Sequence, residues 1–263
     1  MTKSSFFLAI SESEKEDFFL FLSFLENQKK DITKEITKHL ICFYYDQKKL
    51  PSFKEKFVNI SAFFSKEKGI LLKNFSTLEA FKDSLTKDHS FPLLEKLMKK
   101  YPLDQNKIIV DASFGLGIDA AFFLQKKYPL ITLESSFPIF LATQFHYYLY
   151  QHQWPNWKGH YYQNSNTFLF PLETQLIYFD PFFIKKKKAL PKFPMQNLYL
   201  WGDFFEQKEL EEALSYFLNY ADVCVKRGHK TPILLPSKRS YCLESKLVRL
   251  DIYKKNLPSY KKG

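Results

Sequence analysis

Glycine is scarce in this chain, 7 in 263 residues, so backbone conformations that need it can occur at only a few places. Cysteine is scarcer still. Cys42, Cys224 and Cys242 are scattered and stand in no spacing with histidine that suggests a zinc site, which excludes a disulfide framework and points to a reducing, cytoplasmic compartment with no metal. Long apolar runs are missing. The run Phe6–Ile10 is broken by Glu12, Glu14 and Glu16, too short for a signal segment or a membrane span, so a protein with no membrane partner is expected. Acid is in deficit against base, 28 Asp+Glu to 39 Lys+Arg, for a formal charge of +11 and a pI near 9.3. A surface of that sign favours phosphate-bearing partners.

What the chain does have is a stretch that puts two of its glycines to use. Ile108-Ile109-Val110-Asp111 reads as a strand, Ala112 to Gly117 as a tight loop, and Ala120 to Lys127 as a helix. Gly115 and Gly117 let the main chain turn sharply and let a nucleotide-like ligand approach it. The run from Gly115 to Ala120 also satisfies the loose dinucleotide fingerprint. Asp111 at the strand end and Asp119 at the helix start argue against a pyrophosphate, which they would repel, and for a cationic sulfonium with an amino-acid tail. S-adenosylmethionine is the cofactor that fits.

Ahead of this stretch, Ser11 with Glu14, or Ser13 with Glu16, forms a capping-box pattern before the apolar run Phe18–Leu25. Ile32, Ile36, Leu40 and Phe43 recur at helical spacing over Asp31–Tyr45. These predict a helical N-terminal extension over residues 1–75, with a boundary loosely between 65 and 90, followed by a second domain over 76–263. Gly69 to Leu72 reads as a short strand. Ser90 is placed as the cap of a helix with Pro92 in its first turn.

Beyond the glycine loop, Leu130–Leu133 is a strand closing on Glu134, about 20 residues past the glycines, where a ribose-binding carboxylate is expected in nucleotide folds. His160–Gln163 is a third strand, followed by Asn164, Ser165 and Asn166, polar groups suited to an adenine edge. Leu176–Phe179 is a fourth, ending at Asp180-Pro181-Phe182-Phe183. Glu206–Tyr220 is an amphipathic helix, Ala221–Val225 a fifth strand running into Lys226-Arg227, and Leu247–Tyr253 a terminal strand. Strands alternating with helices predict an α/β fold with a doubly wound, mostly parallel sheet. Ligands in such folds bind outside the carboxyl ends of the strands. Asp111, Glu134, Ser165, Asp180 and Lys226 all fall at such ends.

The Asp-Pro-Phe-Phe turn suits a poorly nucleophilic exocyclic amine. Asp180 can accept from its hydrogens and hold it in line with a methyl group, while Phe182 or Phe183 stacks on an extruded base. The run Lys185, Lys186, Lys187, Lys188, together with Lys226 and Arg227, is expected to meet RNA phosphates.

From Gly69 to Tyr253 the chain resembles the RsmJ family of bacterial methyltransferases, which transfer a methyl group from S-adenosylmethionine to N2 of a guanine in small-subunit 16S rRNA. Asp111 to Ala120, Leu133-Glu134, Asp180 to Phe183, the lysine loop through Ala189-Leu190, Val223 to Arg227 and Leu250 to Tyr253 carry the resemblance. It implies a class I methyltransferase fold, a Rossmann-like doubly wound, mostly parallel seven-stranded sheet, with 16S rRNA or the small ribosomal subunit as partner, and cofactor contacts at Ile118 with Asp119, Glu134 with Ser135, Ser165 with Asn166, and Asp180. Ile118 and Ser135 stand where the family usually has arginines, Ile184 where it has proline, and Gly228 replaces a proline after Lys-Arg. Methylation of another amine, a silent RNA-binding module and an NAD enzyme are the competing readings.

Overall fold

The structure, a computed structural model, describes residues 6–11, 40–45, 70–73, 91–181 and 205–256. Three N-terminal strands, β1 (Phe6–Ser11), β2 (Leu40–Tyr45) and β3 (Ile70–Lys73), form a parallel sheet of order β2-β1-β3. The expectation of a strand near Gly69–Leu72 is met by β3. The helix expected to run through Leu40 and Phe43 is instead β2. Leu40-Ile41-Cys42-Phe43-Tyr44-Tyr45 is aromatic and apolar on both alternating sets, a pattern that fits a strand at least as well as a helix. Parallel neighbours need a crossover of a dozen or more residues, which residues 12–39 and 46–69 are long enough to supply. The helical run expected at Phe18–Leu25 lies outside the described residues.

The second sheet has seven strands: β4 (Ile108–Asp111), β5 (Leu130–Glu134), β6 (Trp157–Tyr162), β7 (Thr174–Phe179), β8 (Asp222–Gly228), β9 (Arg239–Glu244) and β10 (Val248–Tyr253). Their order is β6-β5-β4-β7-β8-β10-β9, with β10 antiparallel to both β8 and β9 and the pairs from β6 to β8 parallel. This is the doubly wound, Rossmann-like fold of class I methyltransferases. Four described helices complete it: α1 (Pro92–Lys100), α2 (Ile118–Gln125), α3 (Phe137–Tyr150) and α4 (Gln207–Phe217). The cap of α1 is Phe91, without a side-chain bond; Ser90, the expected cap, lies outside the described residues.

Alternation along the strands sorts the core into two layers. Ile109, Leu130, Leu176, Tyr178, Cys224 and Ile252 pack on one face with Leu94 and Leu97 of α1 and the core of α2. Val110, Ile131, Ile177, Phe179, Val223 and Val225 pack on the other with Leu210, Leu214 and Phe217 of α4. Ala120 to Leu124 of α2 are all buried, as expected of a helix apolar around its whole circumference.

The switch from β5 to β7 across β4 opens the cleft at the carboxyl ends, because chain crossovers leave the central strand in opposite directions there. The glycine loop after β4 is pinned to the sheet on both sides of that cleft. Phe114 N–H donates to Leu133 O at 2.9 Å and Ala112 N–H to Tyr178 O at 2.8 Å. The Phe114 ring is buried against Trp157 and His160, with centroids 5.5 and 4.7 Å away. His160 is held in turn by Thr132 Oγ1 at Nδ1 and Thr143 Oγ1 at Nε2, each at 2.8 Å.

Candidate active site

Gly115 and Gly117 adopt φ values of 55° and 75°, the left-handed region that a side chain penalises. The turn they allow closes with Gly117 N–H donating to Phe114 O at 2.8 Å and delivers Ile118 into the first turn of α2. Gly115 N–H donates to Glu134 Oε2 at 3.0 Å, and Ser136 N–H to Glu134 Oε1 at 2.8 Å. Glu134 is therefore fixed in orientation by two backbone donors, one from each neighbouring loop. A carboxylate has about four lone-pair sites, so one oriented in this way retains acceptor capacity for hydroxyl groups.

The other carboxylates gather around it. Asp111 is 2 % exposed and accepts from Ser113 N–H at 3.1 Å. Burial holds its carboxyl well above the ordinary range; the Ser113 bond opposes this, and the charges of Asp119, Asp180 and Glu134 reinforce it. Asp119, in the first turn of α2, accepts from the Tyr178 hydroxyl at 2.6 Å. Burial, then the charge of Asp119, raises Tyr178 well above an ordinary phenol, so it remains a donor. Asp180 follows β7, its N–H donating to Ser113 Oγ at 2.6 Å. Lys226, from β8, bridges the last two: its Nζ lies 3.0 Å from Asp180 Oδ2 and pairs directly with Asp119 Oδ2.

Asp119, from the first turn of α2, thus meets Asp111, Glu134, Asp180 and Lys226, which stand at or just past strand ends, at one rim. Ser165 is buried in a 3-10 turn, Ser165–Thr167, just past β6, and Asn166 N–H donates to Asn164 Oδ1 at 3.0 Å. Ile118 is 36 % exposed at the start of α2 and Ser135 is half-buried beside Glu134. Pro181 is buried; Phe182, Phe183 and Lys185 to Lys188 lie outside the described residues.

Two basic residues sit differently from the expectation of a shared phosphate contact. Lys226 and Arg227 are consecutive on β8, so they point to opposite faces of the sheet. Arg227 is 2 % exposed and donates through Nη2 to Pro232 O at 3.1 Å. Burial, with Arg249 next to it, pushes its guanidinium down to about 10. Lys226 faces two carboxylates. Tyr178 and Ser113 are the site residues that sequence reasoning passed over. Their signal was alternation: Tyr178 shares a face of β7 with Asp180, and Ser113 shares one with Asp111 across the strand end.

The donor set discriminates between cofactors. A pyrophosphate in a glycine loop is cradled by main-chain N–H groups. Here the Gly115 N–H is directed at a carboxylate and the Gly117 N–H at a carbonyl, and four acidic side chains surround the loop. Acceptors and negative charge suit a ligand that carries hydroxyls and positive charge, and the residues present fit S-adenosylmethionine on that ground.

Comparison with known proteins bears on the same region. Residues 159–255, from β6 through β10, match a family model described as "Putative SAM-dependent methyltransferase". A curated relative from Bdellovibrio bacteriovorus, "Ribosomal RNA small subunit methyltransferase J", is 33% identical over an alignment 157 residues long that covers 55% of this chain and 59% of that protein. The chain therefore spans less than two thirds of the length of that curated relative. Among solved structures, a SAM-dependent methyltransferase from Neisseria gonorrhoeae is similar with a TM-score of 0.45 at 14% identity, over 62% of this chain and 71% of the other. An rRNA methyltransferase from Streptomyces viridochromogenes is similar with a TM-score of 0.41 at 10% identity, over 66% and 92%.

Proposed function

We propose that this chain is an S-adenosylmethionine-dependent methyltransferase acting on N2 of a guanine in small-subunit rRNA. The observation that carries the reading is the placement of Asp180. It follows β7 directly at the cleft, tied to the glycine loop through Ser113 Oγ and followed by a buried proline, so its carboxylate belongs to the same rim as the acceptors that suit the cofactor. The matched family model and the name of the curated relative support the class of reaction and the kind of target.

S-adenosylmethionine, when bound, supplies an electrophilic methyl group on a sulfonium centre. Glu134 is assigned to the ribose hydroxyls, Ser165 and Asn166 to the adenine side, and Asp119 with Ile118 to the neighbourhood of the glycine turn. Asp180 accepts from a hydrogen of the exocyclic amine, which turns the nitrogen lone pair out of conjugation and toward the methyl group. Its charge also matches the positive charge that grows on the nitrogen. Phe182 or Phe183 supplies the stacking surface for an extruded base.

The test is transfer of a labelled methyl group to small-subunit rRNA by the wild type, Asp180→Asn and Asp180→Ala. Asn keeps one acceptor oxygen and loses the charge, so turnover is expected to fall about 10²-fold or more, the usual effect of deleting one electrostatic transition-state contact. Ala is expected to fall further, with RNA affinity largely kept. Full activity in Asp180→Ala would remove this residue from the reaction.

A further inference from the structure

The group that the proposed chemistry does not yet use is the ammonium of Lys226, which bridges the carboxylates of Asp180 and Asp119. Parallel register explains how they meet. Phe179 on β7 pairs with Val225 on β8, so the next residues along, Asp180 and Lys226, stand side by side at the rim. The side chains are partly buried, 26 % exposed for Lys226, 37 % for Asp180 and 18 % for Asp119. One carboxylate comes from the loop after β7 and the other from the first turn of α2, behind the glycine loop. Burial alone would lower the Lys226 ammonium, but Asp180 and Asp119 more than reverse that, so it is held firmly charged. One cation against two anions leaves the triad with net negative charge, and an incoming phosphate would meet the carboxylates as well as the ammonium.

We propose that Lys226 is a positioning residue for methyl transfer, which keeps the Asp180 carboxylate charged and turned to accept from the target amine and ties it, through Asp119, to the helix behind the glycine loop. The inference rests on the reading of Asp180 as the amine acceptor. It replaces the role of phosphate contact that the strand-end position of Lys226 suggested.

The charges around Asp180 explain why it needs this partner. Asp111 faces it from β4, Asp119 from α2, Tyr178 from its own strand, and Cys224 and Lys226 from β8. Lys226 is the cation in this set. Burial raises the Asp180 carboxyl above its ordinary range, Lys226 pulls it back, and Asp119 pushes it up again. Contact with solvent over a third of the side chain moderates all three effects. Without the ammonium, both upward effects act unopposed, and the carboxylate takes up a proton at higher pH. A protonated Asp180 donates where it must accept.

The experiment uses the full chain as wild type, Lys226→Gln, Lys226→Arg and Asp119→Asn. Carboxyl-carbon NMR follows the titration of Asp180 in each, and methyl transfer to small-subunit rRNA is measured across pH. In Lys226→Gln the Asp180 titration is expected at higher pH than in wild type. Its kcat should fall about 10²-fold near neutral pH, with the deficit narrowing as pH rises. RNA affinity and its salt dependence should be unchanged. Lys226→Arg should recover much of the rate, since the charge is kept. Asp119→Asn, nearly isosteric, should displace the Asp180 titration the other way, to lower pH. A rate deficit equal at every pH, a flattened salt dependence of RNA binding, or an unmoved Asp180 titration in both Lys226→Gln and Asp119→Asn would overturn the proposal. If wild type transfers no methyl group to any RNA, the functional reading fails, while the two opposed titrations still decide the part assigned to Lys226.

Discussion

Glu134 is where structure and ligand are hardest to separate. Its two oxygens already accept from the N–H groups of Gly115 and Ser136, so truncation leaves two loop donors without an acceptor as well as the ribose hydroxyls assigned to it. Leaving such groups unpaired costs about 1–3 kcal/mol. Glu134→Ala is therefore expected to weaken S-adenosylmethionine binding by about 1–3 kcal/mol in calorimetry and also to lower the urea midpoint of the free protein. An unchanged affinity would move the ribose elsewhere. Much of this site was legible in the sequence, because an acidic residue ending an apolar run marks the carboxyl end of a strand, and Asp111, Glu134 and Asp180 all do so. What was not legible is who pairs with whom. That Lys226 stands beside Asp180 follows from the register of β7 on β8, and register is a tertiary fact. The bond from Tyr178 to Asp119 depends in the same way on how far α2 tilts toward β7.

Among the elements, α2 ends in a manner that its sequence conceals. In the sequence, Lys126-Lys127 before Pro129 reads as cations on the helix dipole followed by a proline stop. The chain instead leaves the helix through a left-handed residue: Lys127 has φ 63°, its N–H donates to Leu124 O at 2.9 Å, and Tyr128 N–H reaches back to Phe123 O at 3.1 Å. This is the paired bonding of a Schellman motif, in which glycine is the preferred residue at the left-handed position. Lys127→Gly is expected to stabilise the fold by up to about 1 kcal/mol, the relief of a strained φ less the entropy glycine adds to the unfolded chain. Urea unfolding of the two proteins checks it, and a loss of stability would mean that the lysine side chain contributes more than its backbone costs. The strands β4, β5 and β7 could be read because buried parallel strands are continuous apolar runs. β9 could not: Arg239-Ser240-Tyr241-Cys242-Leu243-Glu244 lies at the edge of the sheet with Leu243 as its one buried residue, so it carries little hydrophobic signal. β2 misled for the opposite reason, since a run apolar on both alternating sets also satisfies a helical period.

At the scale of the whole molecule, charge and site are at odds in a way that bears on where the proposed RNA substrate is held. The chain carries +11 overall, yet the rim holds Asp111, Asp119, Glu134 and Asp180 against Lys226, whose charge is taken up by two of them. Such a rim suits a sulfonium and repels a phosphate backbone, so on the proposed function the cations that hold RNA flank it. Lys185 to Lys188 are candidates by their place in the chain: Lys185 is five residues past Asp180, and five extended residues span at most about 17 Å. On the proposed function, these lysines follow Asp180 closely enough in the chain to be candidates for the phosphates beside a base whose amine reaches Asp180. Each phosphate neutralised adds roughly 0.7 to the slope of log affinity against log salt for single-stranded RNA. Replacing all four lysines with serine is expected to weaken binding of small-subunit rRNA fragments, to reduce that slope by about 3 if every lysine makes a contact, and to leave cofactor affinity unchanged. Binding measured across a salt series for the two proteins gives the slopes directly. A slope equal to that of wild type would make the run a solvated loop and shift the RNA contact to another basic part of the chain.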